Sequence, residues 1–495
     1  MADAVARLSG EVAVALLTAG PGHANAVSAL YTARCSESPV LMLSGHAPTG
    51  GIGRGAFQEM PQVEMASTVT KEAWMPTEAH NLGHELARAF RVPLQGRPGP
   101  VHLSLPFDLL NARIDGIADR IPDADAFKPA DPTLDTAHLD QVLDLLGGAR
   151  RPLVLVGPSM VNSDDGEACT QLAERLGVPV VAMQSPRGLK DPVLGAFHER
   201  LPETDLVLLL GKPLDFTVRF GESPPFAGDC RIAHVDAERA CLERTRGNLA
   251  AGDRLAALFE ADPKAMLRGL LQANTSFDSD RGWYRAVSES VTFRPPEWRQ
   301  PIGTPAGQVG IHPVDALRAL DAVLDESSDP IFVCDGGEIG QWAQAVVGCR
   351  RRVINGPSGS IGGSLSFALG LKAARPQATV VALMGDGTFG FHMSELDTGV
   401  RNGLAITCMI GNDACWNAEH QIQLRDYGAD RTHSCELLPS RYDQVCVALG
   451  GHGEQVERAE DVAPALRRAL ASQRTAVLNV LTARVAAPDI NSTSS

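Results

Sequence analysis

Two acidic residues in the last third of the chain carry its most informative chemistry. Segment 379–388 reads as a buried strand of apolar residues running into Gly385-Asp386-Gly387-Thr388. Glycines on either side of Asp386 allow a sharp turn and a close approach of backbone to an anion. Open α/β sheets bind ligands at the carboxyl ends of their strands, which is where this turn places Asp386. The next apolar run, 406–410, ends in Gly411-Asn412-Asp413, and Asp413 follows Asp386 by 27 residues. That is the length of a strand–helix–strand unit, which brings the two strand ends together. Two carboxylates beside turns that offer N–H groups suit a diphosphate bridged to a hard divalent cation. Mg²⁺ takes one or two protein carboxylates and completes its octahedron with phosphate oxygens and water. Taken singly, Asp-Gly and Asn-Asp are also ordinary turn sequences. Their joint spacing and strand context favour the cation–diphosphate reading.

The elements needed to hold such a site recur along the chain. A short β-rich run, a glycine turn and an Ala/Leu-rich helical stretch alternate, which predicts an α/β fold of parallel sheets flanked by helices. Three domains are expected, at 1–113, 136–273 and 311–485. Strands are predicted at 12–17, 40–43 and 101–105 in the first. In the second they are expected at 153–156, 178–182, 206–210 and 232–235, and in the third at 331–334, 380–384, 406–410 and 477–481. Residues 111–135 and 274–310 read as linkers. The second holds Pro295, Pro296, Pro301 and Pro305 and suits an extended crossing segment. The tail after Pro488 is expected to fray.

Composition narrows the function. A chain of 495 residues with 44% hydrophobic content can bury several cores, and its net charge is −15. That acidity argues against nucleic-acid and anionic-membrane partners. No apolar run approaches the ~20 residues of a spanning helix, and the N-terminal residues lack the pattern of a signal peptide. The ten cysteines are scattered, with no CxxC, as expected of reduced packing residues in a cytoplasmic protein.

Gly385-Asp386-Gly387 followed by Asn412-Asp413 resembles the thiamine-diphosphate fingerprint. The wider resemblance is to the acetolactate synthase-like group, which includes 2-oxoacid decarboxylases, benzaldehyde lyase and oxalyl-CoA decarboxylase, and it covers nearly the whole chain. Thr18-Ala19-Gly20-Pro21-Gly22-His23-Ala24-Asn25 is similar to the family's SGPGATN turn. Ala56-Phe57-Gln58-Glu59 resembles the AFQE stretch of acetolactate synthases, and Thr70-Lys71 their TK. Asp335-Gly336-Gly337-Glu338 and Gly359-Ser360-Ile361-Gly362 resemble two further segments, the second of which is GLGxMG in the family. Each motif is modest alone; their common order along the chain is specific.

The resemblance implies pyrimidine-binding, central dinucleotide-fold and diphosphate-binding domains, with thiamine diphosphate and Mg²⁺ as cofactors. It implies a homodimer or homotetramer whose active sites lie between subunits. Asp386 matches the metal-binding aspartate, Asp413 stands where the family carries an asparagine ligand, and Cys415 would offer its carbonyl. Gly385, Gly387, Thr388, Ala414 and Trp416 would contact the cofactor, as would Gly337 and Glu338. Ile361 would prop its V shape. Pro21, Gly22 and Asn25 would line the pyrimidine of the neighbouring subunit's cofactor. Phe57, Gln58, Lys71, Trp416 and His420 fall on the substrate side. Trp416 and His420, four apart, would share one face of a helix; a mixed surface-and-core helix fits them equally. The central domain holds FAD in acetolactate synthases. Relatives without flavin match this chain better in length, and FAD stays open.

The activity implied is carbon–carbon lysis or carboligation on a 2-oxo acid or 2-hydroxy ketone. The alternatives are a simple 2-oxoacid or oxalyl-CoA-type decarboxylase, and a cofactor-binding subunit without activity. The last arises because the family's catalytic glutamate falls just before the segment matching Met1–Ala4. By that resemblance the first sheet lacks a strand and exposes an edge, through either a start at an internal methionine or a truncated subunit. The chain as written is then expected to bind cofactor poorly and turn over slowly, and an upstream extension to restore it.

Overall fold

The computed structural model describes every residue except 162, 251, 275, 276, 278–280 and 493–495. Three parallel sheets follow one another along the chain. The first is built from β1 (Ala13–Leu17), β2 (Val40–His46), β3 (Ala73–Trp74) and β4 (Val101–Pro106), in the order β1-β2-β4-β3. The second uses β5 (Pro152–Val156), β6 (Val180–Ala182), β7 (Leu206–Leu210), β8 (Arg231–Asp236) and β9 (Leu255–Glu260), in the order β6-β5-β7-β8-β9. The third contains β10 (Pro330–Cys334), β11 (Arg352–Ile354), β12 (Thr379–Gly385), β13 (Thr407–Asn412), β14 (His452–Val456) and β15 (Ala476–Leu481). Its order is β11-β10-β12-β13-β15-β14.

The third sheet shows why continuous apolar runs are needed. Alternate residues of a strand point to opposite faces, and here both faces are covered. Phe332, Cys334, Val381, Leu383 and Met409 pack under helices Pro313–Asp325, Gly337–Val346 and Ala459–Ala471. Ile331, Val333, Ala382, Met384 and Cys408 pack on the opposite face, under helix Ser364–Ala374. Helix Ala2–Ser9 of the first domain adds Ala4 to that second layer. Arg7 of this helix donates to the Ile354 carbonyl at 2.7 Å and is paired with Asp3. First and third domains are thereby joined within one chain. β1 forms an edge of the first sheet, with the Val14 and Leu16 side chains exposed.

Two expectations are corrected. The region 274–310 is not extended throughout: helix Arg281–Thr292 lies inside it, with Trp283 buried and donating to the Pro152 carbonyl at 2.8 Å. Spacing of Trp283 and Val287 by one helical turn gives it a face against the central domain. Residues 275, 276 and 278–280 of that region lie outside the described residues. The tail is tied down as far as Ser492, whose N–H donates to Glu199 at 2.8 Å, while Asn491 bonds His198 at 3.1 Å.

Candidate active site

The carboxyl ends of β12 and β13 lie side by side, with Gly385 and Gly411 in register. Asp386 and Asp413 follow directly, as the spacing predicted, and both line one cavity of about 350 Å³. The Asp386 side chain is buried and its Oδ2 has no hydrogen-bond partner. Burial pushes the Asp386 carboxyl up to about 6, against the pull of nearby backbone N–H groups from Gly387 and Cys415. Burial and then the adjacent Asp386 charge push Asp413 up to about 7. Two such acids, one with an orphaned oxygen, form an anionic pair that a cation would satisfy. Among the described residues no three His, Cys, Asp or Glu side chains gather as a metal group. A cation held by this pair would therefore take further oxygens from backbone, water or a phosphate, as Mg²⁺ does.

The turn after β13 is held open by its surroundings. Ala414 has φ +53, which a side chain rarely adopts. Its N–H donates to Asn412 Oδ1 at 3.2 Å, and Arg484 donates to the carbonyls of Asp413 and Ala414, each at 2.8 Å. The Trp416 N–H donates to the Cys435 carbonyl at 2.8 Å. Burial pushes the Cys415 thiol up to about 12, in keeping with a packing role. The Trp416 indole lies so close to Gly387 that a Cβ there would come within 2.6 Å of it, so only glycine fits.

Facing this turn are the two glycine segments. Buried Asp335, at the end of β10, accepts from the N–H groups of Gly336 at 2.8 Å, Gly362 at 3.1 Å and Ser364 at 3.3 Å. One carboxylate thus ties Gly337-Glu338 to the loop carrying Ile361. Gly337 has φ +78 and open space where a Cβ would sit, a cradle into which a ligand can approach. Ile361 is 38% exposed, an apolar side chain presented to the cavity. Burial raises the Glu338 carboxyl, whose Oε2 accepts from the Ala487 N–H at 2.6 Å.

Gly337, Glu338, Ile361, Gly385, Asp386, Gly387, Thr388, Asp413, Cys415 and Trp416 are therefore brought to one cavity. His420 is not. Trp416 stands at the N-cap of helix Asn417–Tyr427 and lines the cavity, and His420 lies one turn further along. His420 donates its N–H to the Trp416 carbonyl at 2.9 Å and stays off the cavity wall.

The first-domain residues lie apart from this cavity. Pro21 and Gly22 open helix Pro21–Cys35, and Gly20 touches Gln58 so closely that a Cβ there would sit 3.1 Å away. Gln58 has φ +59, Asn25 is exposed, and Phe57 is 87% exposed. Lys71 lies at the seam with the central domain, donating to the Gln95 carbonyl. Burial, with Arg34 nearby, lowers its ammonium to about 8.

One wall was not anticipated from the sequence. Ser185, Pro186 and Arg187, following β6 of the central domain, line the same cavity, and Arg187 is the one cation among the described lining residues. The strand-end rule that located Asp386 applies equally to the residues after β6.

Three family models match in chain order. They are the thiamine pyrophosphate enzyme N-terminal TPP binding domain over residues 1–65, central domain over 139–261 and C-terminal TPP binding domain over 335–480. A probable acetolactate synthase of Mycobacterium bovis is 33% identical over 481 residues, 95% of this chain and 84% of that protein. The chain belongs to the thiamine pyrophosphate enzyme family. Human 2-hydroxyacyl-CoA lyase 2 is 28% identical, over 93% of this chain and 78% of its own length. Sulfoacetaldehyde acetyltransferase of Castellaniella defragrans is 29% identical, over 98% and 85%. The protein is thus a thiamine-diphosphate-dependent enzyme, and the third-domain cavity falls inside the matched C-terminal TPP binding domain. No helix among the described residues is long and apolar enough to cross a membrane.

Proposed function

We propose that this protein is a Mg²⁺-dependent carbon–carbon lyase or carboligase acting on a 2-oxo acid or 2-hydroxy ketone. The observation that carries this reading is the Asp386–Asp413 pair beside Gly337 and Gly387 in one cavity. Thiamine diphosphate, when bound, supplies an electron sink for cleaving the bond next to a carbonyl. The protein's part is to hold and orient. Asp386, Asp413 and the Cys415 carbonyl would hold the cation, and Gly387 and Thr388 would offer backbone groups to the diphosphate, while Ala414, whose own N–H and carbonyl are already bonded, shapes the turn beside them. Gly337 and Glu338 close its other side, Ile361 props the cofactor and Trp416 covers Gly387. Pro21, Gly22, Asn25, Phe57 and Gln58 act on a neighbouring subunit's site in a homodimer or homotetramer, which accounts for their distance from this cavity. Lys71 serves the substrate side from the domain seam. The domains run 1–113, 136–273 and 311–485. A cytoplasmic setting rests on ten cysteines without a disulfide.

Arg187, the one cation among the described lining residues, offers an anionic substrate group a charge-assisted partner beside carboxylates that would otherwise repel it. Arg187→Ala is expected to raise KM for a 2-oxo acid at least about tenfold, a charge-assisted contact being worth roughly 1.5–3 kcal/mol. KM for a neutral hydroxy ketone and the affinity for cofactor should hold. Equal losses for both substrates would refute the assignment. If sites are shared between subunits, dilution to monomer should release cofactor and activity together. A sedimenting monomer that keeps full activity would contradict that arrangement.

Product analysis tests the reaction itself. Incubation with pyruvate alone and with added aldehyde should yield a ligated hydroxy ketone. Free aldehyde as the sole product would indicate the simple decarboxylase. A 2-hydroxyacyl-CoA belongs in the same panel, given the human relative's name.

A further inference from the structure

The central sheet has its own ligand crevice, and Glu37 and Arg97 of the first domain close its mouth, beside a cavity of about 1510 Å³ that runs along the domain seam. From β5 the chain crosses outward to β6, then returns to place β7 on the other side of β5. The crevice of such a sheet opens at that reversal, here between Gly157 after β5 and Gly211 after β7. A dinucleotide phosphate would take its N–H bonds from the turn Pro158–Met160.

Glu37 of the first domain occupies that position. It sits at φ +55 between helix Pro21–Cys35 and β2, a conformation a glutamate rarely adopts. Its Oε2 accepts from the Ser159 N–H at 3.1 Å and the Ser159 hydroxyl at 2.5 Å. Its Oε1 pairs with Arg97 of the same domain, which also donates to the Gly211 carbonyl at 3.1 Å and to Asp236 Oδ2 at 2.5 Å. The side chains of Glu37, Arg97 and Asp236 are 4%, 10% and 0% exposed. A Cβ on Gly157 would stand 2.6 Å from the Gly211 carbonyl oxygen and 3.1 Å from Glu37 Oε1, so the two strand ends already touch. Burial works against the Asp236 charge, but His234 and Arg97 outweigh it and bring the carboxyl to about 2. Next to it, Lys212 is bound to Asp215 at 3.1 Å. An entering phosphate would have to displace the Glu37 carboxylate and face Asp236 with Arg97 already committed.

We infer that the switch point of the central sheet is an interdomain latch, closed by Glu37 and Arg97, and that the protein takes neither flavin nor another dinucleotide there. The residues do not fit the FAD that the family resemblance left open. The Arg34–Glu238 pair at 3.0 Å fastens the same seam a short way off.

Two measurements on the full chain test this. Acid-released supernatant of the purified protein should show no flavin absorbance, and calorimetric titration with FAD or with ADP should give no binding heat. Flavin released in proportion to chain, or saturable binding of either nucleotide by the unaltered protein, would overturn the latch. Arg97→Met leaves two buried carboxylates without their cation, and residues 111–135 should then be cut by protease at least about tenfold faster as the domains part. Glu37→Gln, which can still accept from Ser159, should show a smaller increase. An unchanged cleavage rate in a folded Arg97→Met protein would equally overturn it, and the flavin measurement stands whether or not the variant folds.

Discussion

Replacing Asp386 with alanine is expected to abolish Mg²⁺-dependent binding of thiamine diphosphate, weakening it at least about 100-fold, or roughly 3 kcal/mol. The cation would lose a charged oxygen that nothing nearby replaces, since only Asp413 remains of the pair. The same substitution should not destabilise the unliganded fold. A buried carboxyl with an unpartnered oxygen is a cost to the empty protein, not a support. Calorimetry should therefore show lost binding while the unliganded melting temperature holds or rises. A purely structural Asp386 would give the opposite pair of results: unchanged affinity or a lowered melting temperature.

The second large effect is on pH. The carboxyls of Asp386, at about 6, and Asp413, at about 7, must be ionised to hold a cation. Above pH 8 both are ready; below pH 6 both carry protons that the cation must displace. Each displaced proton weakens binding about tenfold per pH unit. Mg²⁺-dependent affinity should thus fall at least about tenfold between pH 8 and pH 6. The sign reverses for the unliganded protein. Both folded-state values are raised, so the stability this pair contributes is fully present below about pH 4, falls as pH rises from there, and is gone above about 6 to 7. Asp413→Asn removes the higher-titrating group and the repulsion it feels from Asp386. It should retain binding, flatten the affinity profile and remove part of the stability loss between about pH 4 and 7. A wild-type profile that is flat from pH 6 to 8 would contradict the pairing, as would complete loss of binding in Asp413→Asn.

The site was legible wherever a strand ended in a chemical group. Asp335, Asp386 and Asp413 each follow an apolar run long enough to be a buried parallel strand, and the run predicts both the strand and the exit point. Edge elements gave no such signal. β14 is His452-Gly-Glu-Gln-Val456, in which only Val456 is buried, and β3 is two residues long. β11, at the sheet's other edge, contributes only Val353 and Ile354 to the core. Helix Arg281–Thr292 was hidden because its apolar face rests on a few residues and prolines follow it closely. Arg187 was missed for a different reason. Its place at the cavity depends on how the central domain docks on helix Gly337–Val346, a contact between segments about 150 residues apart in sequence. The Glu37–Arg97–Asp236 network is likewise invisible in sequence, since its members come from three separate strand ends and turns.

The most direct test of the central claim is a calorimetric titration of thiamine diphosphate into the full chain at pH 8, run with Mg²⁺ and again with chelator. The Asp386–Asp413 site predicts saturable binding with the cation and its loss without it. Binding of equal strength in chelator would contradict the account, because the paired carboxylates would then repel the diphosphate they are held to bind.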